Sequence, residues 1–149
     1  MSNPPDRTGN QSPNMVNPYQ KRIDAVRNLP LHQYMGVRDI QASEGKSQVL
    51  LDVGDNAINP ASLLHGGVVY TLCDVAAYTA LLSILPMDHE AVTHNINVSV
   101  LRPVKYGTRV VFTAEVIKTG KTVCFIHAKA FVDDNIIASA SVTKSIIDR

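Results

Sequence analysis

Residues 64–85 carry apolar or small side chains on every face of a helical projection. A helix apolar all round is normally buried all round, so the rest of the chain has to wrap it. The chain beyond it is almost wholly β-type: residues 92–101 alternate, while 109–117, 122–132 and 136–147 are rich in β-branched side chains. Thr119-Gly120 and Asp133-Asp134-Asn135 supply hairpin turns, and no helix-length connection separates these strands. The sheet is therefore expected to be antiparallel. Residues 36–42 and 47–53 read as a further strand pair joined by Ser43-Glu44-Gly45-Lys46, before a polar loop at 55–62. The expected fold class is α+β, a curled antiparallel sheet around one long central helix.

With 149 residues, 45% of them apolar, the chain suits one domain, expected over residues 18–149. A proline start at Pro18, apolar Ile23 and Val26, and a stop at Pro30 predict a short leading helix at about 18–29, its charged face toward water. Residues 1–17, rich in Ser, Asn, Pro and Gln, are expected to form a disordered tail. The side of the central helix that the sheet leaves open needs cover, and a second copy of the chain provides it, so at least a homodimer is expected.

Several partner classes are disfavoured. The net charge is +1 and the basic residues are scattered, which leaves no footprint for a nucleic acid. Neither a bilayer-spanning apolar run nor the apolar core of a signal peptide is present, so a cytoplasmic protein without membrane partners is expected. Cys73 and Cys124 both sit in apolar segments and read as buried thiols. His32, His65, His89, His94 and His127 show no HExxH or paired spacing, so no metal is expected.

Between Asn56 and Met87 there is one carboxylate, Asp74, and neither lysine nor arginine. An ionised carboxylate on an apolar helix costs several kcal/mol unless hydrogen bonds or a polar cleft receive it. Such a group in a cleft is a candidate nucleophile or general base. The ordinary alternative is an aspartate at the helix's one wet spot, or one bonded to backbone or to Tyr70 or Tyr78. Its neighbours favour chemistry: His65-Gly66-Gly67 stands where the helix begins, and bare amides there bind developing negative charge. Gly67 and Asp74 are two helical turns apart on one face, about 10 Å along the axis.

Asn59, His65-Gly66-Gly67 and Asp74 resemble the pattern of hotdog-fold acyl-CoA thioesterases of the phenylacetyl-CoA thioesterase type, over roughly residues 35–147. Leu101-Arg102-Pro103 and Thr119-Gly120-Lys121 add to the likeness. The resemblance implies hydrolysis of an acyl-CoA, with Asp74 as nucleophile or general base and the Gly67 N–H polarising the thioester carbonyl. It further implies that Asn59 helps hold the carbonyl or the water, and that Thr93 orients water near the aspartate of the facing subunit. His65, the remaining candidate, is implied to fix the loop before the helix rather than to act as a base. A site shared between subunits, a dimer that pairs again into a tetramer, and no cofactor beyond the coenzyme A of the substrate complete the expectation. Arg102, Lys105, Lys118 and Lys121 are the candidates for its phosphates, each against the ordinary reading of a solvated charge.

Two rivals remain at this level. A hotdog-fold hydratase or dehydratase needs an acid and a histidine close together after a Gly-Asp-x-Asn-Pro-x-His run. Here three residues part Asp55 from Asn59, and no histidine closely follows Pro60. A non-catalytic acyl-CoA-binding protein has no need of Asp74.

Overall fold

The computed structural model describes residues 17–149. The tail expected over residues 1–17 lies outside them, apart from Asn17, whose Oδ1 accepts the Tyr19 N–H and caps the first helix. That helix, α1 (Pro18–Arg27), buries Ile23 and Val26 as its spacing requires. Its polar face is not wholly in water, however. Arg22 is buried, and its guanidinium donates to the carbonyl of His89 at 2.8 Å and reaches those of Leu85 and Pro86. Pro30 does not merely end α1: it also starts a second short helix, α2 (Pro30–Met35), which closes at Gly36 with φ 101°. An added Cβ at Gly36 would lie 2.6 Å from the Asp52 carbonyl oxygen, so this position admits only glycine without a backbone shift.

Strands β1 (Val37–Ser43) and β2 (Lys46–Asp52) form the expected hairpin. Its two-residue turn, Glu44-Gly45, has positive φ at both positions, 52° and 77°, matching the right-handed twist of the flanking strands. A single 3₁₀ turn (Asp55–Ala57) then leads to the central helix α3 (Gly66–Leu82). Strands β3 (His89–Val100), β4 (Arg109–Thr119), β5 (Val123–Val132) and β6 (Asn135–Asp148) complete the chain. The sheet order is β1-β2-β4-β5-β6-β3, with every neighbouring pair antiparallel.

One face of this curled sheet grips α3. Val49 and Leu51 of β2, Phe112 of β4, Ile126 and Ala128 of β5, and Ala140 and Val142 of β6 are buried, and residues between them along each strand point away. Small residues Ala76, Ala77 and Ala80 on α3 let the strands come close, and Leu72 fills the space one turn earlier. The buried Ser47 hydroxyl donates to the Ala76 carbonyl at 2.6 Å, tying β2 to the helix. This is the hotdog arrangement, one helix inside a six-stranded antiparallel wrap.

Two features at the open side position the site. Strand β3 is one edge of the sheet, so one row of its backbone groups has no strand neighbour among the described residues. It also carries a bulge at His94: Thr93 pairs with Lys144, and Asn95 with Thr143. On α3 the half-buried or exposed residues are Gly66, Gly67, Tyr70, Thr71, Asp74 and Tyr78, a stripe at helical spacing that the sheet leaves uncovered.

Leu72→Ala is expected to cost about 2–5 kcal/mol, since Leu72 is wholly buried and its loss leaves a cavity. Urea denaturation reads this directly. A midpoint unchanged from wild type would mean that α3 is not the axis of the core.

Candidate active site

The amino end of α3 is built by its cap. His65 is fixed by its backbone N–H to the Ala57 carbonyl at 2.8 Å, and its Nδ1 accepts the Gly67 N–H at 2.9 Å. That acceptor role assigns the ring hydrogen to Nε2. The N–H groups of Val68 and Val69 both reach the His65 carbonyl. The Gly66 N–H is left with no partner among the described residues. The expectation for Gly67 is thus corrected in its geometry: its amide is occupied by the histidine ring, and the bare amide belongs to Gly66. His65 is the cap of α3.

Gly66 lines an open cavity of about 390 Å³ together with Asn59, Tyr70, Leu101 and Arg102. A Cβ added at Gly66 would meet nothing within 4 Å, whereas one at Gly67 would lie 3.0 Å from His65 Nδ1. Asn59 shapes the loop with its Oδ1, which accepts the N–H groups of Ala61 at 2.9 Å and Leu63 at 3.2 Å. Its side-chain NH₂ makes no bond among the described residues and is available on the cavity wall.

Asp74 sits two turns further along. It is not the lone charge its segment suggests. Lys144 of β6, with a side chain only 2% exposed, places its Nζ 2.8 Å from Asp74 Oδ1 and 2.8 Å from Thr93 Oγ1. The Thr93 hydroxyl in turn donates to the same Asp74 Oδ1 at 2.8 Å. Within one chain, then, Thr93 bonds Asp74 directly. Oδ1 takes both donors, and Oδ2 has no partner among the described residues. The carboxylate side chain is 31% exposed, on the uncovered stripe of α3.

Burial pulls the Lys144 ammonium below the ordinary lysine value, a shift that the charge and hydrogen bond of Asp74, and the charge of Glu90, partly offset. The Lys144 Nζ also stands 5.3 Å from the centre of the Tyr78 ring. Tyr78 does not bond Asp74: its hydroxyl donates to Glu90 Oε1 at 2.8 Å, and burial first, then that bond, raises its pKa. Cys73 is pushed up to about 12, mainly by burial and then by the charge of Asp74, so it is an inert thiol.

The four cations expected at the coenzyme A phosphates do not form one cluster in a single chain. Arg102 and Lys105 line a second cavity of about 290 Å³ beside Val132 and Asn135. Lys118 and Lys121 flank the β4–β5 turn, at the other end of β5, about 30 Å away along that strand. No group of three His, Cys, Asp or Glu side chains that could hold a metal ion occurs among the described residues.

The six-stranded wrap around one helix has known counterparts. Residues 61–139, more than half of the chain, match the family model described as thioesterase superfamily. The chain belongs to that superfamily. It is 34% identical over 86 residues to human acyl-coenzyme A thioesterase 13, covering 58% of this chain and 61% of that one. The chain thus spans about three-fifths of the length of the curated relatives it matches. A thioesterase family protein from Silicibacter pomeroyi superposes with a TM-score of 0.78 at 26% identity, over 88% of this chain and 99% of that one. A phenylacetic acid degradation-related protein from Ralstonia eutropha shares the fold at TM-score 0.75 and 22% identity, over 87% and 99%.

Sequence reasoning missed Lys144, although the signal was present. Ala138, Ala140, Val142 and Lys144 occupy alternate, inward positions of β6, and a lysine in phase with a buried face requires a partner.

Two outcomes check this site. Gly66→Ala is expected to keep or raise stability, by up to about 1 kcal/mol through chain entropy, while Gly67→Ala presses on the His65 ring and costs about 1 kcal/mol of capping. Thermal melts of the pair decide it, and equal shifts would refute the assignment of the bare amide. Iodoacetamide at pH 8 is expected to leave Cys73 unmodified in the folded protein, with mass spectrometry as the readout.

Proposed function

We propose that the chain hydrolyses acyl-CoA thioesters to free acid and coenzyme A, in a site assembled by two copies. One observation carries this reading: Asp74 has one oxygen tied down by Thr93 and Lys144 and the other free on the open stripe of α3. A carboxylate held in that way is ready to act.

The pairing of copies follows from distance. Gly66 and Asp74 are eight residues apart on α3, about 12 Å, whereas a single carbonyl group needs its oxyanion donor and its attacking group each within about 3 Å. One helix cannot serve both. Tyr70, 48% exposed, lies midway between them. A two-fold axis passing near Tyr70 brings the Gly66 of one copy to the Asp74 of the other, and the reverse, as an isologous contact demands. The free edge of β3 with exposed Val92, Val100 and Leu101 extends that surface. The second pairing, into a tetramer, has exposed Ile117 and Phe125 elsewhere on the sheet to use.

In this arrangement the thioester oxygen sits between the Gly66 N–H and the Asn59 side-chain NH₂ of one copy. Asp74 of the other either attacks the carbonyl carbon itself or takes a proton from the water that does. Negative charge develops on the oxygen, where the helix amino end and two donors receive it. The C–S bond then breaks, the thiolate of coenzyme A leaves and takes up a proton, and a water oxygen ends in the acid. Arg102, on the cavity wall beside Gly66, is the nearest cation for the phosphates; Lys105, Lys118 and Lys121 are further candidates.

Both rival readings lose support. The histidine–carboxylate contacts among the described residues join His89 to Asp88 and Asp148, at the start of β3, so Asp55 has no histidine partner for hydration. A binder without catalysis has no use for the held carboxylate. Two free, buried cysteines suit a reducing compartment, which supports a cytoplasmic place, and no described helix is long and apolar enough to cross a membrane.

Thiol release from a panel of aromatic, short-chain and long-chain acyl-CoAs tests the activity. Asp74→Asn and Asp74→Ala are expected to lower turnover about 100-fold or more with the oligomer intact. Retention within threefold would remove Asp74 from the chemistry.

A further inference from the structure

We infer that Lys144 is a positioning residue for the reaction, one that selects which oxygen of Asp74 reacts and where it points. The inference rests on the proposed hydrolase activity. It starts from a triangle of contacts: Lys144 Nζ to Asp74 Oδ1 at 2.8 Å, Lys144 Nζ to Thr93 Oγ1 at 2.8 Å, and Thr93 Oγ1 to Asp74 Oδ1 at 2.8 Å.

The donor inventory orders this triangle. An ammonium has three hydrogens and accepts nothing, so the Thr93 oxygen accepts from Lys144. The single Thr93 hydrogen is then free to go only to Asp74. Two donors converge on Oδ1, and the lone pairs left for chemistry are those of Oδ2. Were Lys144 absent, Thr93 could rotate to another acceptor and the carboxylate could swing about its last bond, so that either oxygen met the substrate.

Lys144 is well suited to this work because it is closely confined. Its side chain is 2% exposed, its strand is held on both sides by β5 and β3, and its head group stands over the Tyr78 ring at 5.3 Å. Strand pairing fixes the geometry further, since Lys144 and Thr93 are direct partners across β6 and β3, immediately before the bulge at His94. Bulges re-aim neighbouring side chains. Here the extra residue shifts the inward phase of β3, so that beyond Thr93 it is Ile96 and Val98, paired with Val142 and Ala140, that pack on the core.

A double-variant cycle tests the idea. Lys144→Met keeps the length and burial of the side chain while removing its charge and donors. It is expected to lower kcat at least tenfold, with KM within about threefold, because the acyl-CoA itself is not touched by Lys144. In an Asp74→Asn background the same change is expected to alter kcat by less than about twofold, since Lys144 acts only through Asp74. The double variant leaves no unpaired charge behind, so it remains measurable even if Lys144→Met alone folds poorly. Wild-type turnover together with a Lys144→Met kcat within threefold overturns the role, as does an equal fall in both backgrounds. Absence of wild-type turnover on every acyl-CoA overturns the hydrolase reading instead.

Discussion

A helix that is greasy on nearly every face imposes the whole architecture. No single layer packed on one side can bury α3, and among the described residues the only other α-helices, α1 and α2, are too short to bundle with it. A sheet that curls is the solution open to six strands joined by short hairpins. The curl depends on small residues at the closest approaches, Ala76, Ala77 and Ala80 on the helix and Ala128 and Ala140 on the strands. Because the wrap is open along one stripe, whatever polar chemistry the helix carries has to lie there. Asp74 does, with Gly66 two turns above it.

The same constraint explains how a charge survives on such a helix. A carboxylate beside apolar walls needs compensation, and the helix offers none within its own segment. Compensation comes instead from the far end of the sequence, where β6 delivers Lys144 to an inward position, and from β3, which delivers Thr93. Thr93 lies 19 residues from Asp74 in the chain and Lys144 lies 70. Both are adjacent to it because β3 crosses the sheet to pair outside β6, which places the two strands together over the open stripe.

What the sequence made legible and what it hid divide along physical lines. The central helix, the Glu44-Gly45 hairpin and the antiparallel β4–β5–β6 meander followed from periodicity and turn chemistry, which are local. The second leading helix was hidden because proline both stops one helix and starts the next, and Pro30 does both. Arg22 looked like part of a wet face, but three carbonyls of the α3–β3 connection had yet to be placed around it. At the site, Asp74, Asn59 and the glycine pair were visible as residue types. The choice between the two glycine amides was not, since it turns on which one the His65 ring accepts. Lys144 went unseen because charge balance was read along a segment, when the relevant register was the alternation of a strand.

Lys144 and Asp74 also raise a question that stability alone does not answer. A buried ion pair recovers its desolvation cost poorly, and well-packed apolar residues of similar size often serve a fold as well or better. A methionine at 144 would fill the buried space that the Lys144 side chain takes without needing a charged partner. Buried polar groups that break the local pattern are expected at functional sites, where the loss in stability is offset by what the groups do. The pair also differs from a purely structural bridge in its asymmetry: the lysine is sealed among β6, β3 and Tyr78, while Asp74 Oδ2, on the open stripe, has no partner among the described residues. A bridge serving only the fold gains from satisfying both oxygens. In the proposed hydrolysis, the oxygen outside the bridge is the one that meets the second molecule.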